Sequence, residues 1–228
     1  MEERKKSLYF EAAGMPASGA WAEKRRLASA LREIIDRLVT TDAPEESLAR
    51  AADAASRFAA TLTDFPQRAR LWGFAETANA GDVGAFFDQS PLIGRSNPIS
   101  PPMTLEVAGG RIHGSVEFGA AYEGPPGHVH GGFVAAAFDE VLGFAQSLTG
   151  NPGMTAGLTI RYRSPTPLRT LLRFDAGVDR VEGRKIFTSG TLAAAGRVTA
   201  EAEAVFVSID PERFQAMLAG LTQGSAGE

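Results

Sequence analysis

The residues able to do chemistry are concentrated in Glu123-Gly124-Pro125-Pro126-Gly127-His128-Val129-His130-Gly131-Gly132, which runs straight into Phe133-Val134-Ala135-Ala136-Ala137-Phe138-Asp139-Glu140. Glycine and proline shape a tight approach. Gly131 and Gly132 place backbone N–H groups at a helix start, where the first amides lack helical partners. The partial positive charge at that end suits a developing oxyanion. Asp139 falls where a core residue is expected, between Ala137-Phe138 and Val141-Leu142, so an acid there invites a functional reading over that of a solvated surface group. His128 and His130 form a His-x-His pair of the kind that binds metals. The other histidine, His113, brings no acidic cluster, so no metal site is expected. His130 can equally serve as a simple helix cap.

The elements that must hold these residues are legible as a change of period. Residues 22–39 read as a helix, with Leu27, Leu31, Ile34, Ile35 and Leu38 at helical spacing. A second helix follows, with Asp42 and Glu45 spaced as a capping box and a stripe of Leu48, Ala51, Ala52, Ala55, Phe58, Ala59 and Leu62. Such helices usually pack on a larger body or form a partner-binding arm. Residues 91–102 are rich in Pro, Gly, Ser and Asn and read as a connector. Beyond it, 104–108 and 111–118 are strand-like, joined at Gly109-Gly110. Residues 130–149 form a long helix, apolar on most faces and therefore buried, stopped by Gly150-Asn151-Pro152-Gly153. Four strands follow, at 154–163, 170–181, 184–193 and 198–209, with turns at Glu182-Gly183 and Ala195-Gly196 and a short closing helix at 211–221. In the first of them Met154, Ala156, Leu158, Ile160 and Tyr162 alternate with Thr155, Thr159, Arg161 and Arg163. The pattern predicts an α+β architecture. A curved antiparallel sheet wraps around one central helix over 91–228, preceded by a helical extension over 1–90.

Composition narrows the function. The chain has 228 residues and a formal net charge of -4, which gives no basic surface for nucleic acid. It has no cysteine, which excludes disulfides, thiolate nucleophiles and cysteine zinc sites. No stretch is apolar for long enough to span a membrane, and the mixed-charge start does not resemble a signal peptide, so a cytoplasmic location is expected.

A central helix that opens with His-Gly-Gly and carries an acid nine residues after the histidine resembles the hotdog-fold acyl-CoA thioesterases, above all the PaaI-type group, over roughly residues 90–210. The resemblance implies that the Gly131 N–H polarises the thioester carbonyl and that His130 shapes the site. It implies that Asp139 acts as general base or nucleophile and that the Thr155 hydroxyl orients the water or the acid. Some PaaI-type members carry an asparagine where this chain has Gly124. Gly132 is a further candidate for substrate binding, and Arg161, Arg163 and Arg169 are candidates for the phosphates of coenzyme A. Gly131 and Asp139 are eight residues apart on one helix, or roughly 12 Å at 1.5 Å per residue, so they cannot flank one carbonyl within one subunit. A homodimer, or a dimer of dimers, with antiparallel helices resolves this. No cofactor is implied. A non-catalytic acyl-CoA or fatty-acyl binding protein of the same fold is the alternative. A hydratase of this fold is disfavoured because Asn97-Pro98 lacks the flanking Asp and His. A structural partner role through residues 20–62 remains open as an addition.

Overall fold

Gly109 and Gly110, with φ of 58° and 75°, make the tight turn that joins β1 (Thr104–Ala108) to β2 (Arg111–Val116). Adjacent positive φ values match a two-residue hairpin and strongly favour glycine. The structure is a computed structural model that describes residues 19–65, 88–101, 103–151 and 153–208. A 3-10 turn at Ala120–Tyr122 leads through the Gly/Pro loop into α3 (Gly131–Ser147). The strands β3 (Gly153–Tyr162), β4 (Leu172–Glu182), β5 (Lys185–Ala194) and β6 (Arg197–Ser208) follow. All pairings are antiparallel, and the strand order is β1-β2-β4-β5-β6-β3. The helix therefore carries the chain from β2 to the far edge of the sheet.

The sheet packs on one helix, as the alternation predicts. Val134, Ala137, Phe138, Val141, Leu142 and Ala145 of α3 are buried with Ile112, Leu172, Phe174, Ile186, Leu192 and Phe206 of the sheet. Phe138 meets Phe174 edge to face, with ring centroids 5.1 Å apart. The helix is not covered all round, however. Gly132 and Asp139 are exposed and Ala135, Ala136 and Gly143 half-buried, so one stripe of mostly small residues faces away from the sheet.

β3 departs from simple alternation. Its register against β6 shifts between Thr155 and Gly157: Thr155 lies opposite Phe206 and Gly157 opposite Val205. The extra residue, Ala156, turns Thr155 onto the helix-facing side with Leu158, Ile160 and Tyr162.

Before the sheet come α1 (Gly19–Leu38) and α2 (Glu45–Thr61). α1 is tied to the body by polar contacts as well as apolar ones. Arg25 pairs with the buried Asp88 at 2.8 Å, Arg32 donates to the carbonyls of Asn97 and Arg95, and Asp36 accepts the Ala120 N–H at 2.6 Å. The packed face thus carries Arg25, Ala28, Arg32, Ile35 and Asp36, whereas Ile34 and Leu38 of the expected stripe are exposed. α2 differs more. Its N-cap is Pro44 with no side-chain cap, so the Asp42–Glu45 capping box does not form. Asp42 lies two residues before the cap. None of the residues of α2 is buried, and Leu48, Phe58 and Leu62 stay exposed. The closing helix expected at 211–221 lies outside the described residues.

Candidate active site

The Gly/Pro loop delivers His130 to the N-cap of α3 in extended conformation, φ -60° and ψ 131°. Backbone bonds fix it there: the His130 N–H donates to the Tyr122 carbonyl and the Val129 N–H to the Thr166 carbonyl, each at 2.8 Å. Glu123 ties the loop by accepting the Gly127 N–H at 2.6 Å. A Cβ at Gly124 would stand 2.7 Å from the Cα of His130. The loop in this conformation therefore has no room for a side chain at position 124.

The first turn of α3 uses its donors unequally. Gly132 gives its N–H to the Nδ1 of His130 at 3.0 Å, and Phe133 and Val134 give theirs to the His130 carbonyl. Among the hydrogen bonds of the described residues, the Gly131 N–H has no acceptor. Its carbonyl accepts from the Tyr162 hydroxyl at 2.8 Å, which anchors the helix entry to β3. Of the two glycines, Gly131 therefore holds the available amide, and Gly132, expected to bind substrate, is engaged by the His130 cap. His128 turns away and donates through Nδ1 to the Pro126 carbonyl.

Two turns on, the Asp139 Oδ1 accepts from the Thr155 hydroxyl at 2.8 Å. The two residues meet because of the bulge at Ala156. Asp139 is exposed in the single chain; the aliphatic residues around it in sequence point to the sheet, and a helical step of about 100° turns it outward. It borders an open groove of about 840 Å³ between α3, α1 and the 88–99 segment. Ile35, Leu92, Ile99, Tyr122 and Phe133 give the groove an apolar lining. Tyr122 and Phe133 stand edge to face at 4.9 Å. The Tyr122 hydroxyl donates to the Ile99 carbonyl, and burial pushes its pKa up to about 12.

Asp139 and Thr155 are thus brought together, as are His130, Gly131 and Gly132. The two groups remain two helical turns apart in one chain. Arg161 and Arg163 lie elsewhere, paired with Glu203 at 2.7 Å and Glu201 at 2.6 Å across the β3–β6 ladder. Arg169 sits near Asp36 at 3.4 Å. The structure adds Glu140, Ser90 and Tyr162 to this neighbourhood. Glu140 was visible as the acid after Asp139, but nothing in the sequence of residues 88–99 announces Ser90 as its partner.

The sequence model of the thioesterase superfamily matches residues 126–201, from the loop before His130 into β6. A crystal structure of a thioesterase superfamily protein superposes with a TM-score of 0.74 at 35% identity, covering 85% of this chain and 97% of the other. The chain belongs to the thioesterase superfamily. Its antiparallel sheet around a central helix is the hotdog fold of that superfamily, here with N-terminal helices added. Among curated proteins, this superfamily member is similar to acyl-coenzyme A thioesterase THEM4 of Xenopus laevis, 37% identical over 95 residues, or 41% of this chain and 43% of that one. It is likewise similar to acyl-coenzyme A thioesterase THEM4 of Mus musculus, 36% identical over 97 residues, or 42% of each chain. The matches span less than half the length of these curated relatives.

Proposed function

We propose that this protein hydrolyses acyl-CoA thioesters to a free acid and coenzyme A. The observation that carries the reading is the Asp139–Thr155 pair, open at the mouth of an apolar groove, on a helix whose first amide has no acceptor among the described residues. The similarity to acyl-CoA thioesterases over the segment holding these residues supports it.

In this reaction the acyl group lies in the groove and its carbonyl oxygen meets the Gly131 N–H of a second subunit. Asp139 takes a proton from a water molecule as the water oxygen attacks the carbonyl carbon, or attacks the carbon itself to give an anhydride that water then opens. The Thr155 O–H, donating to Asp139 Oδ1, holds the carboxylate in one orientation. The negative charge that grows on the carbonyl oxygen is stabilised by the Gly131 amide and the helix N-terminus. As the C–S bond breaks, the thiolate of coenzyme A leaves. On the general-base route it takes up the proton that Asp139 received; on the anhydride route it takes up the proton released by the water that opens the anhydride and frees Asp139. The route uses no metal or cofactor.

The assembly is a homodimer, alone or paired into a tetramer. The separation of Gly131 from Asp139, about 12 Å along the axis, calls for two antiparallel copies of α3. The small-residue stripe Gly132, Ala135, Ala136 and Gly143 lets two helices approach closely beside Asp139. Among the described residues, β3 is an edge strand of the sheet.

The test is thiol release, followed with a colorimetric thiol reagent, from acyl-CoAs of graded chain length. Wild-type turnover that is lost in a folded Asp139→Asn protein is the expected result. Absence of thiol release from every acyl-CoA, or equal turnover in the variant, overturns the reading.

A further inference from the structure

Glu140 follows Asp139 on α3 and takes no part in the hydrolysis outlined above. One helical step turns it toward α1 and the 88–99 segment, where it lines the same groove as Asp139. The Ser90 hydroxyl donates to its Oε1 at 3.2 Å. No cation pairs with it among the described residues. Burial pushes its carboxyl up to about 7, with Ser90 opposing the shift and Asp139 adding to it. A protonated carboxyl carries one O–H donor and further acceptor capacity, and Ser90 answers only Oε1. Glu140 lines a groove whose wall is apolar at Ile35, Leu92, Ile99 and Phe133 and polar at Gln89 and Asp139. A polar group left unanswered among apolar walls is unfavourable once a bound chain expels water. A plain hydrocarbon chain leaves it unanswered. A chain with its own oxygen at that point does not.

Resting on the thioesterase reading, we propose that the groove seats the acyl group and that Glu140, backed by Ser90, is a specificity-determining residue. It selects aliphatic acyl groups that carry a hydroxyl or keto oxygen a few bonds beyond the thioester. The short step along α3 from Asp139 to Glu140 sets that spacing. Sites built to hydrogen-bond a substrate oxygen discriminate strongly against analogues lacking it, so a preference of about 10- to 100-fold is expected.

The test separates binding from chemistry. Calorimetry compares S-hexyl-CoA with its 3-hydroxyhexyl and 5-hydroxyhexyl counterparts, thioethers that cannot be hydrolysed. Wild-type protein binds at least one hydroxylated ligand about 10- to 100-fold tighter than the plain one. Glu140→Leu and Glu140→Ala erase that preference, Ser90→Ala weakens it, and Glu140→Gln, which keeps hydrogen-bonding capacity, retains part of it. Thermal melting verifies that each variant is folded. Equal wild-type binding of plain and hydroxylated ligands overturns the proposal, as does a preference that survives Glu140→Leu or Glu140→Ala. Hydrolysis of the matching thioesters reads the other claim. Preference without hydrolysis sinks the thioesterase reading alone, and hydrolysis without preference sinks this one alone.

Discussion

At residue 139 a carboxylate accepts a hydrogen bond from a hydroxyl that a regular strand would turn to the opposite face. The pair separates two contributions by size. Asp139→Asn keeps the shape and the contact with Thr155 but removes the base, so kcat falls by about 10²- to 10⁴-fold with the melting temperature little changed. Thr155→Ala removes one orienting hydrogen bond and lowers kcat by about tenfold, the weight of a single such bond. Steady-state kinetics on both variants, with melting curves alongside, decides this; equal losses in the two would contradict the division of roles. Glu140 affects stability through its titration. Its carboxyl stands at about 7 in the fold against an ordinary value of 4.5. Between those values the folded chain holds a proton that the unfolded chain releases, so this contribution is fully present below pH 4.5 and is lost as pH rises through 7. The size is on the order of 3 kcal/mol. Urea unfolding at pH 5 and pH 8 should show a smaller difference for Glu140→Gln than for wild type.

At the level of elements, the Gly/Pro loop and α1 each have one contact that can be pressed. Gly124→Ala drives a Cβ into the His130 backbone, 2.7 Å away. It should destabilise the protein by about 1–3 kcal/mol and reduce kcat, because the loop that sets the Gly131 amide must move. Arg25→Ala leaves Asp88, only 6% exposed, without its partner. A loss of about 2–3 kcal/mol is expected from that buried charge, with a raised KM as α1 loosens from the groove. Denaturant titration and initial-rate kinetics check both. These elements were unequally legible in the sequence. Gly109-Gly110 announced its hairpin because few residues other than glycine adopt positive φ easily, whereas at Ala195-Gly196 only Gly196 gave that signal and Ala195 takes a φ of 47° itself. The helix that opens at His130-Gly131-Gly132 announced itself through an apolar run between glycine boundaries. The bulge at Ala156 did not, since strict alternation assigns Thr155 to the opposite face, and only pairing with β6 shows the flip. The α1 contacts were also hidden. An aliphatic stripe marks a buried face, but here Arg25, Arg32 and Asp36 choose the face by finding partners some 60 to 130 residues away in sequence, which local periodicity does not encode.

For the whole molecule the central expectation is that the site is shared between chains. Sedimentation should find a dimer or tetramer with no active monomer. A stricter test mixes two lesions. Gly131→Val crowds the Tyr162 hydroxyl, already 3.2 Å from where a Cβ would stand, and disturbs the helix entry; Asp139→Asn removes the base. Co-expressed with different tags, the mixed dimer holds one doubly damaged site and one intact site, so activity should recover toward half per dimer. Mixed dimers as inactive as both parents would contradict a shared site. The clamp on α1 has a consequence for how such a protein diversifies. The segment matched by the superfamily model, residues 126–201, holds Gly131, Asp139 and Thr155, whereas Ile35, Ser90, Leu92 and Ile99 of the groove wall lie outside it. In the proposed reaction, the reacting groups and much of the wall around the acyl chain thus belong to different stretches of polypeptide. On that reading, drift or recombination in the leading stretch retargets the protein to new thioesters while the hydrolytic groups are inherited unchanged.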